Sequence, residues 1–289
     1  MEVRKFLNSI WNEFVYGGHL LSLGGSGILY LETVLLNKKT NLLLLFLAYL
    51  MNQIIYSYNH LKEAKKDIES NSERAKYLLE AKKEKKAKIE FFIYCLFLLI
   101  TLFLLKKAEL LIFVLIIVIA GIFYTLFLKS LTKKVLGFKN LYVAFMWALA
   151  PQIVIGIYYE TSLFSKIIII LFLYILLRFI MSTIFFDLKD IKSDKNEGLI
   201  TLPVVLGKEQ TLSLLHFINF ISFIPILFGV FKNILPFYSI SLLIFFFYSF
   251  YYLKAAEEEK SDIHFLSYIV VDGEYLLWGL LALIFKLFL

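Results

Sequence analysis

Apolar runs of about twenty residues, repeated from one end of the chain to the other, constrain this sequence more than anything else in it. Wound as a helix, a run of that length matches the hydrocarbon thickness of a bilayer. The runs are continuously apolar and lack the alternation of a membrane strand, so helices are expected and a barrel is not. Nine spans are predicted, at about 14–37, 41–58, 89–105, 108–128, 140–159, 163–186, 210–231, 233–253 and 266–288. Of the 289 residues, 60% are hydrophobic, more than a water-soluble interior of this size can hide. The expected fold class is all-α: a polytopic membrane bundle of about nine transmembrane helices around a central cavity, with helices in the cytoplasmic loops. One integral-membrane domain over 1–289 is expected, in two helical halves at about 1–135 and 136–289.

Lysine and arginine placement predicts an orientation. With nine spans, the N-terminus and the loops after even-numbered spans share one side, which carries 22 Lys and Arg; the other side carries seven. That bias puts the N-terminus and its companion loops in the cytoplasm. The N-terminal segment Met1–Glu13 has no short apolar core with a small-residue cleavage site, and it reads as mature sequence. Cys95 is the single cysteine, which excludes an internal disulfide and argues against a thiolate metal site. The net charge of +7 comes mostly from loop lysines. The partners expected are the lipid bilayer and a lipophilic ligand, with no nucleic acid.

Two polar stretches follow apolar runs on the predicted cytoplasmic side. The first is Asn59–Asp67, in which Asn59, Glu63 and Asp67 are spaced i, i+4, i+8. The second is Asp187–Asp194, in which Asp187, Asp190 and Asp194 are spaced i, i+3, i+7. Steps of three and four fall on one helix face, so each stretch presents a row of oxygen ligands. Two such rows suit Mg²⁺ carrying a diphosphate. Neighbouring lysines, among them Lys62, Lys189 and Lys192, offset carboxylate repulsion and attract an anion. Either stretch alone also fits the ordinary polar end of a membrane helix.

The segment Phe186–Gly207 strongly resembles the second signature of the UbiA superfamily of intramembrane prenyltransferases. Asp187, Asp190, Asp194, Gly198, Thr201, Leu202, Pro203 and Gly207 all stand where that signature has them. The first stretch is similar to the family's first motif, with Glu63 in place of an Asp, and Asn71–Arg74 resembles the segment that trails it. Tyr124, Lys129 and Thr132 are similar to the family's motif after the fourth span. The resemblance implies Mg²⁺-dependent transfer of a prenyl group from a polyprenyl diphosphate to an aromatic or other lipophilic acceptor, as in quinone biosynthesis. It implies metal ligation by Asn59, Glu63, Asp67, Asp187, Asp190 and Asp194. It gives Asp67, Asp187 and Asp190 catalytic roles, and it gives Arg74, Tyr124 and Lys129 substrate contacts.

Two further positions draw attention. Arg178 is the only arginine inside an apolar span, where an unpaired charge is costly. It lies nine residues before Asp187, about two and a half turns, and is expected to face the cavity and touch the diphosphate or a ligand carboxylate. Asp272 and Glu274 interrupt the last span. They fit either a helix-packing hydrogen bond or, for Asp272, a substrate-binding group near the acceptor. Two other readings stay open at this point: a membrane transporter or channel, and a UbiA-like binding protein without catalysis.

Overall fold

The computed structural model describes residues 2–67 and 81–288. Every regular element among them is helical. Helix α1 (Glu2–Tyr16) is amphipathic, with Leu7, Ile10 and Trp11 exposed along one stripe. The chain turns at Gly17–Gly18 into α2 (His19–Leu35), then runs through α3 (Leu42–Asp67), α4 (Ala81–Leu105) and α5 (Ala108–Leu126). A 3₁₀ turn (Leu128–Lys133) leads to α6 (Phe138–Tyr159) and α7 (Lys166–Asp187). A second 3₁₀ turn (Leu188–Asp190) and α8 (Ile191–Glu197) prolong α7. Next come α9 (Leu202–Ser222), α10 (Ile224–Phe231), a 3₁₀ segment (Phe237–Leu243) and α11 (Ile244–Glu257). The last span combines α12 (Ile263–Phe265), a π-helical turn (Leu266–Val271) and α13 (Asp272–Phe288).

Eight helical stretches among the described residues are long and apolar enough to cross a bilayer. The first expected span, 14–37, is shorter than predicted. The turn at Gly17–Gly18 assigns residues 14–16 to α1, leaving α2 with 17 residues. At a rise of about 1.5 Å per residue, that is a little short of the roughly 30 Å hydrocarbon core. The seventh span begins earlier than predicted, at Leu202, and bends at Gly207.

Burial separates lipid-facing helices from central ones. On α4 and α5, Phe92, Phe103, Ile112 and Ile119 are exposed, as side chains against lipid would be. By contrast, α7 is buried on most sides and touches α6, α9 and α10. The closest packing joins α2 to α13. A Cβ placed on Gly279 would lie 2.8 Å from the Cα of Gly27, so only small residues let these helices touch. One core gathers Ile28, Tyr174, Phe179 and Trp278 between α2, α7 and α13. A second joins α2 to α3, α4 and α5, and a third joins α7 to α9 and α11. The cavity opens between these layers.

Candidate active site

A cavity of about 350 Å³ is enclosed by α2, α3, α5, α6, α7, α8 and α13. One end is polar, where α3, α5 and α7 finish and α6 starts. Asn59, Tyr124, Lys139, Lys189, Asp190 and Asp194 line it. The other end is hydrocarbon, walled by Ile28, Leu29, Met51, Ile117, Met146 and Val154. An aromatic stack runs along one side. Trp147 lies on Phe179 at 4.7 Å between centroids, and Phe179 lies on Tyr275 at 4.4 Å with the rings parallel. Tyr275 is fixed by donating its hydroxyl to Ser182 Oγ at 2.8 Å.

The segment after α7 shows how local structure aims the second acidic row. Asp194 is buried, lines the cavity and accepts from Thr201 Oγ1 at 3.1 Å. Gly198 stops α8 with φ of 70°. Leu199 N donates to Asp194 O at 2.8 Å and Gly198 N to Lys195 O at 3.2 Å, the paired bonds of a Schellman ending. Thr201 is extended and Pro203 falls in the first turn of α9, where its missing N–H costs nothing. Ile200 N then donates to Thr132 O at 3.0 Å, tying this loop to the 3₁₀ turn after α5. Much of the second signature is thus a scaffold around Asp194.

The three aspartates do not share one environment. Asp190 lines the cavity and forms an ion pair with Lys189, whose ammonium lies 5.4 Å from the centroid of the Tyr268 ring. Asp187 is fully buried and sits outside the cavity lining. Its Oδ1 pairs with Lys139 Nζ at 2.7 Å, and its Oδ2 accepts from Asn140 Nδ2 at 2.8 Å. In this state Asp187 holds Lys139, and Lys139 faces the cavity. In the sequence Lys139 is one of the 22 basic residues on the predicted cytoplasmic side. The available signal was its place at the first turn of an apolar run, where a cation is not needed for helix ending.

The remaining expected residues divide. Asn59 lines the cavity and accepts from Thr125 Oγ1 at 3.3 Å. Tyr124 lines it too and stacks on Tyr142 at 4.8 Å. Asp272 is buried and faces the cavity. The backbone of α3 continues through Glu63 and Asp67. The side chains of Glu63, Asp67 and Lys129, and Arg74 entirely, lie outside the described residues.

Arg178 is a correction. It is fully buried and absent from the cavity lining. It pairs with Glu274, donates to Asn219 Oδ1 at 2.7 Å and to Ser249 Oγ, and lies 5.2 Å from the centroid of the Phe223 ring. Two and a half turns is a half-turn offset, so Arg178 and Asp187 lie on opposite sides of α7. Glu274 has the same logic on α13. It stands two residues, about 200°, from Asp272, so one carboxylate enters the cavity and the other meets Arg178.

No cluster of three or more His, Cys, Asp or Glu side chains placed to hold a metal occurs among the described residues. The cavity does supply hard oxygen donors from Asn59, Asp190 and Asp194. Mg²⁺ keeps several waters and takes only one or two carboxylates beside substrate phosphates, so this donor set fits it.

These features define an integral, multi-pass membrane protein built around an amphipathic cavity, charged at one end and hydrocarbon at the other. The chain belongs to the UbiA prenyltransferase family, whose family model matches residues 20–280. No curated relative matches the sequence. Among solved structures it is similar to a UbiA homologue from Aeropyrum pernix K1, at 13% identity and a TM-score of 0.69, covering 93% of this chain and 97% of that one. A UbiA homologue from Archaeoglobus fulgidus bound to GPP and Mg²⁺ is similar at 15% identity and a TM-score of 0.64, covering 94% and 98%. A structure concerning digeranylgeranylglyceryl phosphate synthase is similar at 19% identity and a TM-score of 0.57, covering 98% and 99%. At these identities the likeness concerns the fold.

Proposed function

We propose that this protein transfers a prenyl group from a polyprenyl diphosphate to a lipophilic acceptor inside the membrane. The observation that carries the reading is the amphipathic cavity of a UbiA-family chain, with Lys139, Lys189, Asp190 and Asp194 at its polar end. A prenyl diphosphate has the same division between a charged head and a hydrocarbon tail. The Archaeoglobus fulgidus homologue, bound to GPP and Mg²⁺, supports this donor class.

The chemistry follows from what lines each part. The donor's C–O bond ionises to diphosphate and an allylic cation; the acceptor's nucleophilic atom then bonds to that carbon and gives up a proton. Lys139 and Lys189 supply fixed positive charge where the leaving group gathers negative charge. Asp187 and Asn140 hold the Lys139 side of that arrangement in place. Asn59, Asp190 and Asp194, together with Glu63 and Asp67, would hold Mg²⁺, which would supply further neutralising charge to the diphosphate. The walls below exclude water that would quench the cation. Trp147, Phe179 and Tyr275 offer ring surfaces that attract it. Tyr124 and Asp272 are placed to contact substrate beside the polar end.

The test uses purified protein in detergent with labelled prenyl diphosphates, Mg²⁺ and native membrane lipids as the acceptor pool. Label should pass into a lipid product with release of diphosphate, and chelation should stop it. Asp190→Ala and Lys139→Met should each lower kcat/KM by about a hundredfold or more, the scale for losing one group that stabilises developing charge. Wild-type protein that releases no diphosphate from any of the donors would overturn the reading and favour transport or binding.

A further inference from the structure

Just beyond the residues that line the apolar end of the cavity lies a buried polar pair. On α2, the residues lining the cavity descend through Leu21, Gly25 and Ile28. Glu32 is next on that stripe, one turn beyond Ile28 and about 6 Å deeper. On α6, Gln152 stands between Pro151 and Val154, which both line the cavity. Glu32 is 1% exposed and Gln152 is 2% exposed. Gln152 Nε2 donates to Glu32 Oε1. Glu32 Oε2 and Gln152 Oε1 take no hydrogen bond from any described residue. The pair therefore bridges α2 and α6 about one turn beyond the lining residues, with two buried oxygens that take no hydrogen bond among the described residues. Along α6 it lies thirteen residues from Lys139, a depth of about 20 Å.

We infer that Glu32 and Gln152 form a polar stop that sets the longest prenyl chain this protein accepts. The inference rests on the proposed use of a prenyl diphosphate and adds which donors fit. A tail whose last unit ends among Ile28, Leu29 and Val154 meets only hydrocarbon. One more unit has to push the pair behind them aside. Displacing it breaks the Gln152–Glu32 hydrogen bond, and hydrocarbon offers no replacement, so the longer chain meets a penalty where it would otherwise gain burial. A helix clamp made only for packing would not discriminate between donors.

The experiment offers the purified protein a mixture of all-trans prenyl diphosphates, from geranyl to octaprenyl, with native membrane lipids. It reads the chain lengths in the product. Wild type should show a sharp upper limit. Glu32→Ala removes the stop, and Gln152→Ala does so from α6. Each should raise the ratio of the first excluded donor to the last accepted one by about tenfold. That is modest, since each extra buried methylene favours the longer donor about fourfold. Glu32→Gln keeps size and polarity, and its ratio should match wild type. An unchanged ratio in whichever alanine variant folds overturns the inference while leaving the transferase reading intact. Equal loss of turnover with every donor, in protein that still unfolds cooperatively, would mark the pair as holding a polar ligand group and would also overturn it. Absence of product from wild type with every donor would count against the transferase reading itself.

Discussion

Arg178 and Glu274 place two full charges where neither water nor a lipid headgroup reaches them. Removing one partner of such a pair strands the other, at about 3–5 kcal/mol. Arg178→Leu should therefore lower the unfolding temperature strongly, and Arg178→Lys should also lower it because a single ammonium nitrogen lacks the planar spread by which one guanidinium nitrogen reaches Asn219 and the other Ser249 and Glu274. The double variant Arg178→Leu/Glu274→Leu should recover part of the loss. Thermal unfolding in detergent reads this, alongside KM for the donor, which should stay near the wild-type value in the folded variants. A large rise in KM in a variant with normal unfolding would return Arg178 to the diphosphate. The sequence made this residue conspicuous, because a lone intramembrane arginine needs a partner. The expected direction was wrong, since nine residues amount to about 900°, a half-turn offset that turns Arg178 away from Asp187. Its partner was not legible, because nothing in the spacing joins position 178 to position 274.

At the scale of elements, the informative pieces are those that break helical period. Gly207 sits inside α9 with φ of 79° and ψ of 171°, a conformation open almost only to glycine. The bend separates the first turn of α9, which begins beside Thr201, from its membrane portion. Gly207→Ala should cost about 1–3 kcal/mol in stability and lower turnover, because Thr201 and through it Asp194 would shift. Unfolding and kinetics of the same preparation check both halves; unaltered turnover with reduced stability would show the bend is only architectural. The presence of these glycines was plain in the sequence, and their purpose came only with the backbone. The π-helical turn Leu266–Val271 had no periodic signal at all, yet it directly precedes the two acidic positions of α13. Such a turn adds a residue to the helical register. Of Asp187, Asp190 and Asp194, expected on one face, the latter two line the cavity. Asp187 is engaged by Lys139 and Asn140 on α6, a tertiary contact that helix spacing cannot express.

For the whole molecule, hydropathy made the bundle legible because lipid demands continuous apolar helices. Charge placement speaks to its orientation. The polar end of the cavity, with Lys139, Lys189 and Asp190, is built from segments predicted to face the cytoplasm. The opposite end carries its own short polar links: Lys107 pairs with Glu160 at 2.7 Å, and Tyr159 donates to Lys39 O at 2.6 Å. The sparse basic residues of that end include Lys39, Lys107, Lys166 and Lys232. Positive charge is retained on the cytoplasmic side, so the cavity mouth should open there. Lys195 and Lys232 are both exposed and fall at opposite ends of the bundle. Cys95, the only native thiol, can be removed as Cys95→Ser to leave a silent background. In that background Lys232→Cys should react with a membrane-impermeant maleimide in intact cells. Lys195→Cys should react only after permeabilisation. A prenyl diphosphate made in the cytoplasm would then reach Lys139 and Asp190 without crossing the bilayer with its charges. Labelling of Lys195→Cys from outside intact cells would invert the orientation and require the donor to arrive from the opposite side.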